Sequence, residues 1–390
     1  WMGPDLASKG DTVYVVFKQN PEGDMNSHIY LIRSYNGGMN FSMPVQVDNI
    51  ADSLSRFPAV TIDDNGHPIV AFMKFDPSFG DARWVVTRSN DYGSTFNVDK
   101  KASGWTGGTV CDCCPGAITA KGNEVAMMYR ANLSNIRDTW VGRSTDAGAT
   151  FTNGWNAEGN NWMLMSCPSS GPDGVIIGDT LYTVFMNGAS GTALVYWSKS
   201  ALSDMSAQPT EPISGTIANL NSQNYPRMAN YGNALAVVWK QAVNGSDQLV
   251  IRFTNDINAG LPDYTMVDMD NITNADVAIS DGAVHVVWED NASGTVKYRK
   301  GTFQSTAGLT DGNLSLPIVY PNPSNSVWMV SNVTPNTELI LYDVRGISYP
   351  NNFDQSNGIF EIDNSTLNSG VYFLDVKSEG KTSTLQLLKY

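Results

Sequence analysis

What this chain lacks sets the first limits on it. No run of 18 apolar residues occurs in its 390 residues, so no segment is expected to span a membrane. Charged residues make up only 16% of the chain, and the basic ones are the minority, 24 against 38 acidic. The net charge of −14 argues against a nucleic-acid partner, because phosphate binding needs clustered Lys and Arg. No signal peptide precedes Trp1, which reads as a processed or trimmed start. Histidine is confined to His28, His67 and His285, and cysteine to four positions. What is plentiful is glycine (35) and proline (18), alongside Asn, Ser, Thr and aromatics, which suits an all-β protein whose many turns need special backbone angles.

Internal repetition organises the chain. A phrase made of a Pro, an alternating strand, a Gly- or Asn-containing turn and a second strand closing on an aromatic recurs six times. It runs Gly3 to Phe17, Phe57 to Phe72, Cys114 to Tyr129, Gly171 to Phe185, Tyr225 to Trp239 and Asn274 to Trp288, with Ala275 replacing Pro in the last copy. The start positions 4, 58, 115, 172, 226 and 275 are 54, 57, 57, 54 and 49 residues apart. Each phrase predicts a hairpin, and a third strand follows each, beginning near His28, Arg83, Thr139, Leu194, Leu249 and Val296. With a fourth, less regular strand, each unit becomes a propeller blade, and radial repetition protects the strand edges. A β-helix needs shorter repeats and a sandwich does not repeat. The expectation is a six-bladed β-propeller over 1–306 rather than a seven-bladed one.

Three repeats continue from the third strand into one kind of turn. Ser89-Asn90-Asp91-Tyr92-Gly93-Ser94-Thr95-Phe96 and Ser144-Thr145-Asp146-Ala147-Gly148-Ala149-Thr150-Phe151 share a pattern, and Ser34-Tyr35-Asn36-Gly37-Gly38-Met39-Asn40-Phe41 is a degraded copy. In this reading the Asp caps backbone N–H groups, the Gly takes a positive φ and the aromatic tucks under the blade. These phrases resemble the Asp box (BNR repeat) of sialidase-type propellers, where the box is structural and not catalytic.

That resemblance implies a candidate activity. Exo-sialidases hold the substrate carboxylate with three Arg, use a Tyr nucleophile polarised by a Glu, and use an Asp as acid/base; forked guanidinium groups suit a carboxylate. Arg33, Arg88, Arg143, Arg252 and Arg299 end the third strands, away from the expected site. Arg56, Arg130 and Arg227 lie where inner strands begin or second strands return, so they are the set expected to converge on an anion. Tyr225 adjoins Arg227 in sequence. Of the five Glu before residue 306, Glu289 alone directly follows a second strand. Arg56, Arg130, Arg227, Tyr225 and Glu289 are therefore the candidate catalytic residues. The competing reading makes Arg56-Phe57-Pro58 an ordinary repeat start and the other Arg ordinary surface residues.

All four cysteines fall in Cys111-Asp112-Cys113-Cys114-Pro115 and Cys167-Pro168, which precede the inner strands of neighbouring repeats three and four. The two phrases should meet on one face near the axis. Two disulfides, one joining Cys167 to the CDCC segment, are one reading. A thiolate site for copper or zinc is the other. The order CDCCP, Asn135-Ile136-Arg137-Asp138, Asp box, CPSSGP is similar to a group of sialidase-like bacterial exoproteins. Asp112, Arg130, Arg137 and Asp138 are further candidates around the cluster. Trp105, Trp155, Trp162 and Tyr225 precede inner strands, where they either stack on a sugar or pack in the core.

After Phe303 the repeat stops in a Gly-, Ser- and Thr-rich stretch, taken as a linker over 307–316. Residues 317–390 then alternate as strands of a small β-sandwich. Tyr320-Pro321-Asn322-Pro323, the Asp343-Val344-Arg345-Gly346 segment, Gly370-Val371-Tyr372 and the final Lys389 resemble the type A C-terminal sorting domain of the type IX secretion system of Bacteroidetes. That resemblance implies passage through the periplasm to the outer surface or beyond, with the translocon and its shuttle protein as partners. The combined reading is all-β: an exported propeller that binds a glycan, peptide or metal, with an exo-sialidase-type glycoside hydrolase as the alternative.

Overall fold

The computed structural model describes residues 3–19, 27–48, 54–105, 108–204, 209–269, 271–304, 317–331, 333, 337–349, 353–356, 359–378 and 381–390. They fall into two compact units, Trp1–Thr306 and Ala307–Tyr390. The expected linker, 307–316, lies outside the described residues.

The first unit contains six antiparallel sheets in chain order, one per repeat. Their inner strands are Asp5–Lys9, Leu54–Ile62, Ala117–Lys121, Asp173–Ile177, Leu220–Tyr231 and Ile272–Ser280, and consecutive ones pack side by side. The inner hairpin turns through a glycine with φ between 56° and 69° in five blades (Gly10, Gly122, Gly178, Gly232 and Gly282), a conformation that side-chain-bearing residues adopt only under strain. The expected fourth strand is present in blades one to five, and blade six has three strands among the described residues.

A blade buried on both faces must be apolar on both, so its middle strands read as continuous hydrophobic runs. Val125, Met127 and Tyr129 pack toward blade two, against Ala71, Met73 and Trp84. Ala126 and Met128, the alternate residues, pack toward blade four, against Ile176 and Leu181. Equivalent cores join blades one and two, four and five, and five and six. Each fully buried large side chain contributes about 1.5–3 kcal/mol. Among the described residues no such cluster joins blade six to blade one. Val287, Val296 and Tyr298 of blade six are exposed, and residues of the first and last blades both line a central cavity.

The turn after the third strand follows one plan three times, twice in full. Ser89 Oγ accepts from Gly93 N (2.7 Å), while Asp91 accepts from Thr95 N (2.8 Å) and Thr95 Oγ1 (2.7 Å). Ser144 and Asp146 repeat these bonds with Gly148 and Thr150. In blade one Asn36 still accepts from Asn40 N (3.0 Å), but has no second carboxylate oxygen to hold a hydroxyl. Phe151 is buried and Phe96 packs on the blade one–two core, as the pattern requires. Phe41 does not tuck under its blade: it is 43% exposed. The degraded copy keeps the bonds to backbone N–H groups and loses the hydroxyl bond and the anchor.

The second unit has two four-stranded sheets enclosing Trp328, Val330, Leu341, Ile362, Leu374 and Leu387. Its motif residues are structural. Asp343 accepts from Arg345 N (2.9 Å) and Ile347 N (3.1 Å), closing a turn that needs Gly346 at φ 80°. The Asn322 side chain accepts from Leu388 N (2.8 Å) and donates to Gln386 O (2.8 Å), so Tyr320-Pro321-Asn322-Pro323 is tied to the last strand. Tyr372 donates to Asn368 O (2.9 Å), two residues before Gly370, and Lys389 Nζ donates to Asn325 O.

Candidate functional site

The residue after each repeat's opening Pro, or Ala275 in the last, points to the axis. Around the ring these residues are Asp5, Ala59, Gly116, Asp173, Arg227 and Asp276, and all line one cavity of about 680 Å³. In blades two, five and six the inner strand bulges just before this position. The bulge places Phe57, Tyr225 and Asn274 at φ between 48° and 54° and re-aims the chain toward the cavity that these residues also line. A left-handed backbone at a residue bearing a side chain costs about 1 kcal/mol or more, so the surrounding packing must hold it.

Asp5 Oδ2 accepts from Val60 N of the next blade (2.8 Å), and Asp173 Oδ2 accepts from Met228 N of its next blade (2.9 Å). Both carboxyls open on the cavity yet are surrounded by protein. Desolvation pushes each up to about 6, against the opposing pull of the bonded N–H and of Arg227. The charges of Asp173, Asp276 and Asp5 hold the Arg227 guanidinium protonated against its own burial. Asp276 is exposed to the cavity, as is Glu289, which accepts from Asn274 Nδ2 (2.6 Å). The site therefore carries four carboxyl groups and one guanidinium.

Of the five residues expected to be catalytic, the structure brings Arg227, Tyr225 and Glu289 to this cavity. Burial raises the Tyr225 phenol, which works against a phenolate nucleophile. Arg56 is elsewhere: its guanidinium lies over the rings of Phe79 (4.6 Å) and Phe75 (5.5 Å). Arg130 is fully buried, donating to Ser170 O (3.1 Å), Arg137 O (2.5 Å) and Met186 O (2.8 Å), with Glu158 at 3.8 Å and Trp162 beneath it at 5.3 Å. The expected convergence of three arginines does not occur. A bulge turned one of them onto aromatic rings, and carbonyls of two blades captured the other. Only Arg227 has a free approach to the cavity.

Burial pushes Glu158 up to about 7. Asp138 is also buried, accepting from Trp162 N (2.9 Å), Asn161 N (3.0 Å) and Asn156 Nδ2 (2.8 Å). Arg137 donates to Leu164 O (3.2 Å). Arg130, Arg137 and Asp138 thus pin the loops of blades three and four. Trp155 and Trp162 are buried and Trp105 packs on the blade two–three core, so packing rather than stacking is their role here.

The four cysteines do meet. A disulfide joins Cys113 to Cys167, the expected link between the two phrases. Cys111 and Cys114 are buried thiols whose sulfurs lie 2.8 Å apart, and Asp112 is exposed.

Sequence reasoning passed over Asp5, Asp173 and Asp276. The signal was available: Gly3-Pro4-Asp5, Gly171-Pro172-Asp173 and Asn274-Ala275-Asp276 put an acid at one repeat position three times.

Comparison with known proteins bears differently on the two units. Residues 318–389 match the family described as the secretion system C-terminal sorting domain, so the chain is exported to the cell surface or beyond. A search of curated proteins finds no match. Among solved structures, a protein of unknown function from Dyadobacter fermentans DSM 18053 is similar at 12% identity and TM-score 0.54, over 77% of this chain and 93% of that one. The phage phi92 endosialidase is similar at 10% identity and TM-score 0.50, over 100% of this chain and 85% of that one. At such identities the likeness shows the fold, a β-propeller, and nothing of the activity. No helix is long and apolar enough to cross a membrane among the described residues.

Proposed function

We propose that the propeller binds the uncharged end of a glycan in its central cavity. Delivery is by a type IX secretion system that reads residues 317–390 as a type A signal. The observation that carries the binding reading is the ring of Asp5, Asp173 and Asp276 around a single Arg227, with Tyr225 and Phe57 also lining the cavity. Carboxylates accept from sugar hydroxyls, and aromatic faces cover the apolar faces of sugar rings. An acidic sugar meets four carboxyl groups and one guanidinium, a balance that opposes sialic acid. The three hydrogen-bonded turns are read as Asp boxes and given a structural role only.

A second reading, hydrolysis of a neutral glycoside, is favoured by one observation: desolvation holds Asp5 and Asp173 near pKa 6, where a carboxyl can serve as general acid. Titration of the purified full chain against neutral and sialylated oligosaccharides, with product analysis on an aryl-glycoside panel, tests both. Binding of neutral glycans without turnover supports the first reading, and turnover lost in Asp5→Asn and Asp173→Asn supports the second. Selective binding of sialosides would overturn both. For export, a chain lacking 317–390 is expected to stay in the periplasm, and its normal appearance at the surface would refute the sorting role.

A further inference from the structure

The four cysteines form a unit that neither glycan binding nor export uses. Their sulfurs all lie within 4.8 Å of one another, with Cys111 Sγ 2.8 Å from Cys114 Sγ and 3.6 Å from Cys113 Sγ. Four thiolates on a tetrahedral ion with metal–sulfur bonds of about 2.3 Å stand roughly 3.8 Å apart, so closing around an ion needs only small shifts of these side chains. The donors come from two segments, three from one turn before blade three and the fourth from the loop before blade four. We infer that Cys111, Cys113, Cys114 and Cys167 are a redox-gated site for one tetrahedral, thiophilic divalent ion of the zinc class.

The surroundings fit an anionic centre. Arg130 and Arg137 are buried beside these loops: Arg130 Nε donates to Ser170 O (3.1 Å), and Cys111 N donates to Arg130 O (2.9 Å). A tetrathiolate around a divalent ion carries two net negative charges, which buried cations must offset. A pair of disulfides is neutral and calls for no such counter-charge.

The Cys113–Cys167 bridge occupies two of the four donors, so bridge and ion exclude each other. Opening it requires two electrons from a thiol reductant: the disulfide and two R–SH give two cysteine thiols and one R–S–S–R. Four thiols then bind the ion with loss of four protons. The bridge and the ion each tie blade three to blade four beside the cavity, which Pro115, Gly116 and Ser169 from these same loops help to line.

The test uses the full chain, reduced without oxygen by a non-chelating phosphine and titrated with Co2+ as an optical probe. The expected result is one Co2+ per chain with the intense visible and near-ultraviolet bands of a tetrahedral tetrathiolate. Zn2+ should displace it, with about four protons released per Zn2+ bound to the reduced apo-chain near pH 7. The untreated, bridged chain should bind none, and re-oxidation should expel the ion. Cys167→Ser should bind at least roughly 10- to 100-fold more weakly, the range that loss of even an outer-sphere partner costs. A reduced wild-type chain with four titratable thiols but no tetrathiolate spectrum would overturn the inference without recourse to any variant. Equal binding by bridged and reduced chains would overturn the gating.

Discussion

Replacing Arg130 with leucine removes a side chain that is fully buried and donates three hydrogen bonds to backbone carbonyls of Ser170, Arg137 and Met186. It also strips the Glu158 carboxylate of its cation at 3.8 Å. Each orphaned buried acceptor costs about 1–3 kcal/mol, and breaking a buried ion pair from one side costs about 3–5 kcal/mol. These losses overlap, because the loops relax together, so a destabilisation of about 4 kcal/mol is expected at pH 8. The deficit should depend on pH. Burial raises Glu158 from 4.5 to about 7, so the folded state holds its proton more tightly than the unfolded chain. Its contribution to stability is therefore fully present below about 4.5 and lost as pH rises through 7. Without Arg130 the folded pKa rises further, and the gap between variant and wild type should widen from pH 5 to pH 8. Urea unfolding of the full chain at both pH values measures this, and the sorting unit's own transition should not move. A deficit below about 1 kcal/mol, with ligand binding lost, would mean that Arg130 serves the ligand and not the fold.

The remaining expectations concern the axis and the blade joints. Asp5 and Asp173 also have folded pKa values raised, to about 6, so propeller stability should fall as pH rises from about 4 through 6. Asp173→Asn should flatten that fall in a Tm-against-pH series, and an unchanged slope would contradict the assignment. Gly142→Ala would set a Cβ 2.0 Å from Ala102 O of the adjoining blade, an overlap expected to cost about 3 kcal/mol or more, read by urea midpoint. Normal stability there would refute the blade two–three contact. Asp91→Ala should cost about 1 kcal/mol by losing its bonds to Thr95, and Asp91→Asn should cost less because it keeps one acceptor, as Asn36 does in blade one. Equal losses would show that the acceptor retained in Asn contributes nothing, and would contradict this account.

The blades were legible because the repeat is a physical unit. In five blades a Pro precedes the axis-facing residue of the inner strand, in five a glycine turns the hairpin, and every second strand carries an aromatic; these signals survive at 49- to 57-residue spacing. The cysteine pairing was legible in outline, since both phrases precede inner strands of adjacent repeats. The candidate site was less so. Arg56, Arg130 and Arg227 all lie where inner strands begin or second strands return, but side-chain direction at a bulge and capture by a neighbour's carbonyls are tertiary facts with no local sequence mark. The Asp5, Asp173 and Asp276 ring had a mark, an acid at one repeat position. An anionic substrate would need several arginines, and one, Arg227, lines this cavity among the described residues.

The most direct test of the central reading is an equilibrium titration of the purified full chain with matched neutral and sialylated oligosaccharides, run beside Asp173→Asn. The account predicts saturable binding of the neutral glycan, roughly tenfold or more weaker in the variant as a charge-assisted bond of 1.5–3 kcal/mol is lost, and no binding of the sialylated one. Preference for the sialylated glycan, or neutral-glycan binding that Asp173→Asn leaves unchanged, would contradict it.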